Sequence, residues 1–188
     1  MSQDNFEGFP KMARLNRTMT ITEKIDGTNA QVYFSEDMSS FMVGSRNRWI
    51  SPESDNAGFA RWAYENVEEL RKLGPGRHFG EWWGRGIQRG YDLKEKRFSL
   101  FNTARWSDDS IRPACCGVVP VLYHGAFSTE VIHFQADCLR TTGSVAAPGF
   151  MRPEGIVVYH AAAGMSFKMT LEKDESPKSL ENKSEKNA

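Results

Sequence analysis

The sequence is poor in the residues that would announce metal, disulfide or membrane chemistry. Three cysteines occur in 188 residues, Cys115, Cys116 and Cys138, an odd number with two adjacent and no C-x-x-C spacing. That pattern fits neither a disulfide framework nor a zinc site, so reduced thiols are the expectation. The four histidines, His78, His124, His133 and His160, are scattered without ligand spacing. No apolar run approaches the roughly 18 residues of a membrane span, and no basic-then-apolar leader opens the chain. A soluble, unexported, cytoplasmic protein with no membrane partner is therefore expected. Lys and Arg total 24 and Asp and Glu total 24, giving a formal net charge of zero. Bulk charge gives no attraction to nucleic acid, and any basic surface must be local. Phosphate loops are missing too. Gly74-Pro75-Gly76 and Gly84-Arg85-Gly86 do not complete G-x-G-x-x-G, and no G-x-x-x-x-G-K-[ST] exists.

What is present reads as one domain over residues 1–172, followed by a polar tail, 173–188, with almost nothing to bury. Alternating or β-rich runs predict strands at Met19–Ile25, Ala30–Phe34, Phe41–Gly44, Arg77–Trp83, Arg97–Thr103, Glu154–His160 and Met165–Leu171. Gly117–Tyr123 is strand-like, with Pro120 pushing it toward an edge. Phe59, Trp62, Ala63, Val67, Leu70 and Leu73 recur at helical spacing until Gly74-Pro75, and a second helix is predicted over Ser128–Arg140. Many short strands with about two helices indicate an α+β domain built on antiparallel sheets.

The chain is organised around Thr22-Glu23-Lys24-Ile25-Asp26-Gly27-Thr28-Asn29. Lys24 stands where an alternating run meets a tight turn, with Gly27 expected to supply the turn's conformational freedom. Alone, K-x-D-G also describes an ordinary surface lysine before a hairpin. Other stretches follow it in order: Gly44-Ser45-Arg46-Asn47-Arg48, Phe79-Gly80-Glu81-Trp82-Trp83-Gly84, Phe98-Ser99-Leu100-Phe101-Asn102, Glu154-Gly155-Ile156-Val157-Val158, and Phe167-Lys168-Met169-Thr170. Together, over roughly residues 20–171, they resemble the covalent nucleotidyltransferases: ATP-dependent RNA and DNA ligases and mRNA capping enzymes. Thr28-Asn29 after the glycine is most similar to the RNA ligase branch.

The resemblance implies a nucleotidyltransferase (adenylation) domain that uses ATP with Mg²⁺ or Mn²⁺ and forms lysyl-AMP on Lys24. It then adenylylates a 5′-phosphate and seals it to a 3′-hydroxyl, as in RNA repair, with RNA favoured over DNA. A free lysine has a pKa of about 10.4, so Lys24 must lose its proton, and Lys168 with the metal is what the resemblance offers for that. Glu23 and Asp26 would oppose it unless their side chains face the nucleotide or a structural partner. The resemblance sets Glu23 near the purine, Arg46 on the ribose or a phosphate, and Glu81 as acceptor of ribose hydroxyls. It makes Phe101, rather than Phe98, the ring against adenine and Glu154 the metal-linked carboxylate. Lys168 neutralises the α-phosphate, and Asn29 joins the nucleotide-binding set. Thr170 stands where the family's second lysine is expected, a departure that weakens the grip on the triphosphate.

The loop Trp82–Tyr91 mixes arginine with aromatics, the composition for gripping a backbone and stacking on bases, which makes Arg85 and Arg89 candidates for phosphate contact. Relatives carry a further domain after the last motif. Here the ordered pattern stops near Leu171, the pattern of either a catalytic-domain-only ligase or a fragment, in which one step is slow or relies on an accessory protein; a monomer is expected. Two other readings compete: a catalytically decayed module that binds nucleic-acid ends, and a capping-type guanylyltransferase.

Overall fold

Alternation of buried and open positions builds two sheets rather than one. The computed structural model describes residues 7–172 and Asp174, so most of the expected tail lies outside the described residues. β1 (Thr18–Lys24) buries every second side chain, Met19, Ile21 and Glu23, as its sequence alternation demands. It is a central strand of a four-stranded antiparallel sheet with β8 (Val121–Ala126), β9 (Gly155–His160) and β10 (Met165–Thr170), in the order β10-β9-β1-β8.

The second sheet has six strands: β2 (Thr28–Phe34), β3 (Phe41–Ser45), β4 (Trp49–Ile50), β5 (Gly76–Gly84), β6 (Lys96–Leu100) and β7 (Cys116–Val118). Their order is β4-β3-β2-β5-β6-β7, antiparallel except for the parallel β6–β7 pair.

Each sheet is covered by helix on one face. The helical spacing from Phe59 to Leu73 becomes α1 (Phe59–Glu65), α2 (Val67–Leu70) and a 3-10 turn, Arg71–Leu73, with a break at Asn66. Phe59, Leu70 and Leu73 pack on Val32, Phe34, Trp82 and Phe98 of the six-stranded sheet. After β6 comes the short α3 (Thr103–Trp106). The second predicted helix is α4 (Thr129–Thr142), N-capped by Ser128 and ended at Gly143, which has φ 85°. Its Ala136 and Leu139 pack on Met19, Ile21, Ile156 and Val158 of the four-stranded sheet. The opposite faces of the sheets line an open cleft of about 960 Å³.

Two predicted elements change. The Gly117–Tyr123 run is two strands, not one: β7 lies in the large sheet and β8 in the small one, and Pro120 sits at the crossing. The Lys24–Thr28 connection likewise crosses between sheets, so Lys24 does not precede a hairpin. Gly27 is not among the residues with positive φ. Its requirement is space: a Cβ there would lie 2.5 Å from the Trp82 carbonyl oxygen and 2.8 Å from Trp83 Cβ. Cys115, Cys116 and Cys138 are free thiols. Among the described residues no helix is long and apolar enough to cross a membrane.

Because backbone stands against Gly27, Gly27→Ala overpacks the crossing. It should lower unfolding free energy by about 1–3 kcal/mol, read as a reduced urea midpoint at unchanged slope. A midpoint equal to that of the parent chain contradicts this packing.

Candidate active site

β1 ends on two consecutive charged residues that face opposite ways. Glu23 points to the covered side, where it accepts from Ser144 Oγ at 2.6 Å, Val145 N at 2.8 Å and Ala146 N at 2.9 Å. Burial pushes its carboxyl above the usual range, while those three donors pull it back. Its carboxylate anchors the 144–146 segment to β1, a structural task rather than the contact near a purine that the motif implies.

Lys24 points into the cleft and donates to Glu154 Oε2 at 2.5 Å. The Lys24 side chain is 24% exposed and that of Glu154 2%. Glu154 is delivered by the start of β9, where Gly155 pairs with Lys24 on one side and Thr170 on the other. A Cβ at Gly155 would meet the Met169 carbonyl oxygen at 2.1 Å, so only glycine lets the three strands close there.

β5 brings in Glu81. It accepts from Asn29 Nδ2, its cross-strand neighbour, at 2.9 Å and from Gly27 N at 3.1 Å. Burial pushes the Glu81 carboxyl up to about 7, with the Glu154 charge adding to the rise; Asn29, Lys24 and the Gly27 amide oppose it. Asn29 is thus turned onto Glu81. Phe101, 41% exposed, lines the cleft, whereas Phe98 is fully buried in the core of the large sheet. Asn102 accepts from Arg105 N and caps α3.

Lys168 shares a rung with Val157 and Thr22, so β10 holds it on the Lys24 face of the sheet, one same-face rung from Lys24–Gly155–Thr170. Arg46 is exposed in the β3–β4 turn. The Ala30–Ser45 pairing sets it at the Asn29 end of the large sheet.

The loop after β5 departs from expectation. Trp82, Trp83 and Tyr91 are buried, and the indoles donate to Ala57 O and Ser99 Oγ. Arg89 donates Nε to Asp26 Oδ2 at 3.1 Å and Nη1 to Arg152 O at 3.0 Å, while Asp26 N donates to the Tyr91 hydroxyl at 2.7 Å. Burial pushes that hydroxyl's pKa up. Arg89 is therefore a brace for the Asp26 turn rather than an open phosphate contact; Arg85 remains exposed. Phe79, 51% exposed in the cleft, was not singled out by its motif. Its signal was available, since it lies two residues before Glu81 on one strand and so on the same face. Among the described residues no three His, Cys, Asp or Glu side chains form a metal cluster.

A sequence profile described as RNA ligase matches residues 17–170. The chain belongs to the RNA ligase family. Solved structures of the RNA ligase of Naegleria gruberi are similar in fold. An apo mutant form is 23% identical with a TM-score of 0.62, covering 86% of this chain and 52% of that one. A mutant form with ATP and Mn is 23% identical with a TM-score of 0.64, covering 86% and 53%. A mutant form with AMP and Mn is 23% identical with a TM-score of 0.62, again covering 86% and 53%. This RNA ligase family member thus spans about half the length of those chains. No match was found among curated proteins.

The folded Glu81 carboxyl lies near 7 against an ordinary 4.5. A raised carboxyl contributes stability that is complete below the unfolded value and is lost as pH rises through the folded one. Glu81→Gln lacks that loss, so its stability relative to the parent should improve by on the order of 2 kcal/mol between about pH 5 and about pH 8. Urea unfolding at both pH values measures this, and a pH-independent difference rules it out.

Proposed function

We propose that the chain is an ATP-dependent RNA ligase that carries AMP on Lys24. The observation that supports this most is the Lys24 amine in a cleft, 2.5 Å from a buried carboxylate, with Glu81 and Phe101 lining the same space. Glu154 Oε2, 2.5 Å from the Lys24 amine, is the acceptor at hand for its proton. The freed Nζ lone pair attacks the α-phosphorus of ATP, the bond to the bridging oxygen breaks, and pyrophosphate leaves with that electron pair. Lys168 offsets charge on the α-phosphate oxygens. The ionised form of Glu81 accepts the ribose hydroxyls, Phe101 lies against adenine, and Arg46 takes the ribose or a phosphate. Asn29 holds Glu81 in place for that contact.

A 5′-phosphate oxygen of the RNA then attacks the same phosphorus, the P–N bond breaks, and Lys24 regains its proton. In the last step a 3′-hydroxyl oxygen attacks the 5′-phosphorus and AMP departs, leaving a phosphodiester. Catalysis there is alignment and charge neutralisation. A divalent cation fits as one held by Glu154 together with the nucleotide's phosphates, where it would offset their negative charge. An accessory protein supplying what a longer relative carries in its own chain belongs to the same proposal.

One observation favours a second reading. Thr170 lies on the same rung as Lys24 and Gly155, where a second lysine would face the phosphates, and its hydroxyl donates to Asp174 instead. A module that binds RNA ends without loading AMP would tolerate that loss of charge.

Incubation with α-labelled ATP and Mg²⁺ separates the readings. The ligase reading expects covalent label that is lost in Lys24→Ala and reduced at least about 100-fold in rate in Glu154→Gln. It also expects no label from GTP. Label retained by Lys24→Ala, or none on the parent chain, ends it.

A further inference from the structure

The cleft does not stop at Phe79. On the face of the large sheet that carries Glu81, cross-strand pairing runs Phe79–Gln31–Gly44–Trp49, a single rung across β5, β2, β3 and β4. The next same-face rung is Arg77–Tyr33–Met42. Both rungs lie on the side away from the helices, since Val32, Phe34 and Val43 between them face the core. At about 4.8 Å per strand, Phe79 and Trp49 stand about 14 Å apart. Between them the floor is low: Gln31 lies flat, donating to Ser45 O, and Gly44 has no side chain.

That glycine matters. A Cβ at Gly44 would come within 3.1 Å of Trp49 Cε3, so the indole lies across the sheet at this point with 41% of the residue exposed. Trp49 differs from Trp82, Trp83 and Trp106, which are buried. The Arg77 guanidinium lies 5.0 Å from the Trp49 ring centroid and 5.2 Å from that of Tyr33, and donates to Gln31 Oε1 at 3.1 Å. Arg77 also lines the cleft, so the aromatic rung and the site of Lys24 are one continuous surface. No carboxylate stands in either rung, and Arg46 and Arg48 are exposed in the turn that leads into Trp49.

We infer that this face is a stacking track for unpaired bases of the polynucleotide strand whose end lies in the cleft. Trp49 and Phe79 present exposed ring surface, and Arg77, over the Trp49 ring, supplies the cation. Open aromatic rings on a sheet suit bases because every base has a π-face, and an arginine held over the rings suits the phosphates that link them. The proposed function seats the nucleotide at the Glu81 and Phe101 end, so the track concerns the second substrate. It rests on the ligase reading for the identity of the strand as RNA, though not for the existence of the surface.

The test uses the full chain and a 5′-phosphorylated, fluorescein-labelled single-stranded RNA. Trp49→Ala and Arg77→Ala should each weaken its binding roughly tenfold, because stacking on an aromatic accounts for about that much per base. Trp49→Ala, outside the cleft lining, should load label from α-labelled ATP at the parent rate, and both variants should keep the far-UV circular dichroism of the parent chain. Trp49→Phe should recover most of the affinity, and intrinsic tryptophan fluorescence should be quenched by RNA in the parent but far less in Trp49→Ala. Unchanged RNA binding in both alanine variants overturns the track. So does a parent chain that loads AMP yet binds no single strand, or a surface whose mutation alters only self-association. A parent chain that binds RNA through Trp49 without loading AMP keeps the track and removes the ligase reading.

Discussion

The interaction on which the site depends is the ion pair between Lys24 and Glu154. A carboxylate at 2% exposure would be costly without a partner, and the amine at 2.5 Å makes its burial tolerable. The same contact ties the end of β1 to the start of β9, so the amine's position follows from strand pairing rather than from a mobile loop. In the proposed reaction that carboxylate is also the nearest acceptor for the amine's proton. That is a different arrangement from one in which only positive neighbours surround the lysine.

The cleft exists because the chain changes sheets twice at nearly one place. Residues 25–27 lead from β1 to β2, and Val119-Pro120 lead from β7 to β8. Ile25, Val119, Trp83, Tyr91, Ala147 and Phe150 form a small separate core at these crossings. Arg89 and Tyr91 fasten the Asp26 turn from one side, and Glu23 fastens the 144–146 segment from the other. Lys24 is thus held by a fixed junction between two layers, each with its own helix-covered core. Buried polar groups at the junction are satisfied: among the described residues no buried side-chain nitrogen or oxygen lacks a partner.

Local pattern made most of this legible. Alternation in Met19–Thr22 and Ala30–Phe34, and helical spacing from Phe59 to Leu73, set the elements to within a few residues, and many short strands with about two helices indicated the α+β class. What resisted reading depends on distant partners. Pro120 marked an edge, but only the assembled sheets reveal that it divides strands of two different layers. The Trp82–Tyr91 loop has the composition of a nucleic-acid grip, yet Trp83 and Tyr91 are consumed by the junction core, Trp82 by the core of the large sheet, and Arg89 by Asp26, sixty-three positions away. Glu23 differs from Lys24 by one step along a strand, and that step sends it to the opposite face. Whether its carboxylate meets a ligand or the 144–146 backbone cannot follow from the motif itself.

A zero net charge and the polyanionic substrate of the proposed function are reconciled by where the charges sit. The cleft contains two buried carboxylates, but Glu154 is paired with Lys24, and Glu81 is near 7, so it carries only part of a negative charge at neutral pH. The cations nearby are more open: Lys168, Arg77 and Arg46 are exposed on cleft-side faces or at their edges. The local field at the working surface is therefore more positive than a count of residues implies, and screening confines it to about 10 Å at moderate salt. Such a field draws a strand end over a short range without making the whole molecule adhere to nucleic acid. It suits the proposed ligase, which would engage an end and let the joined product go.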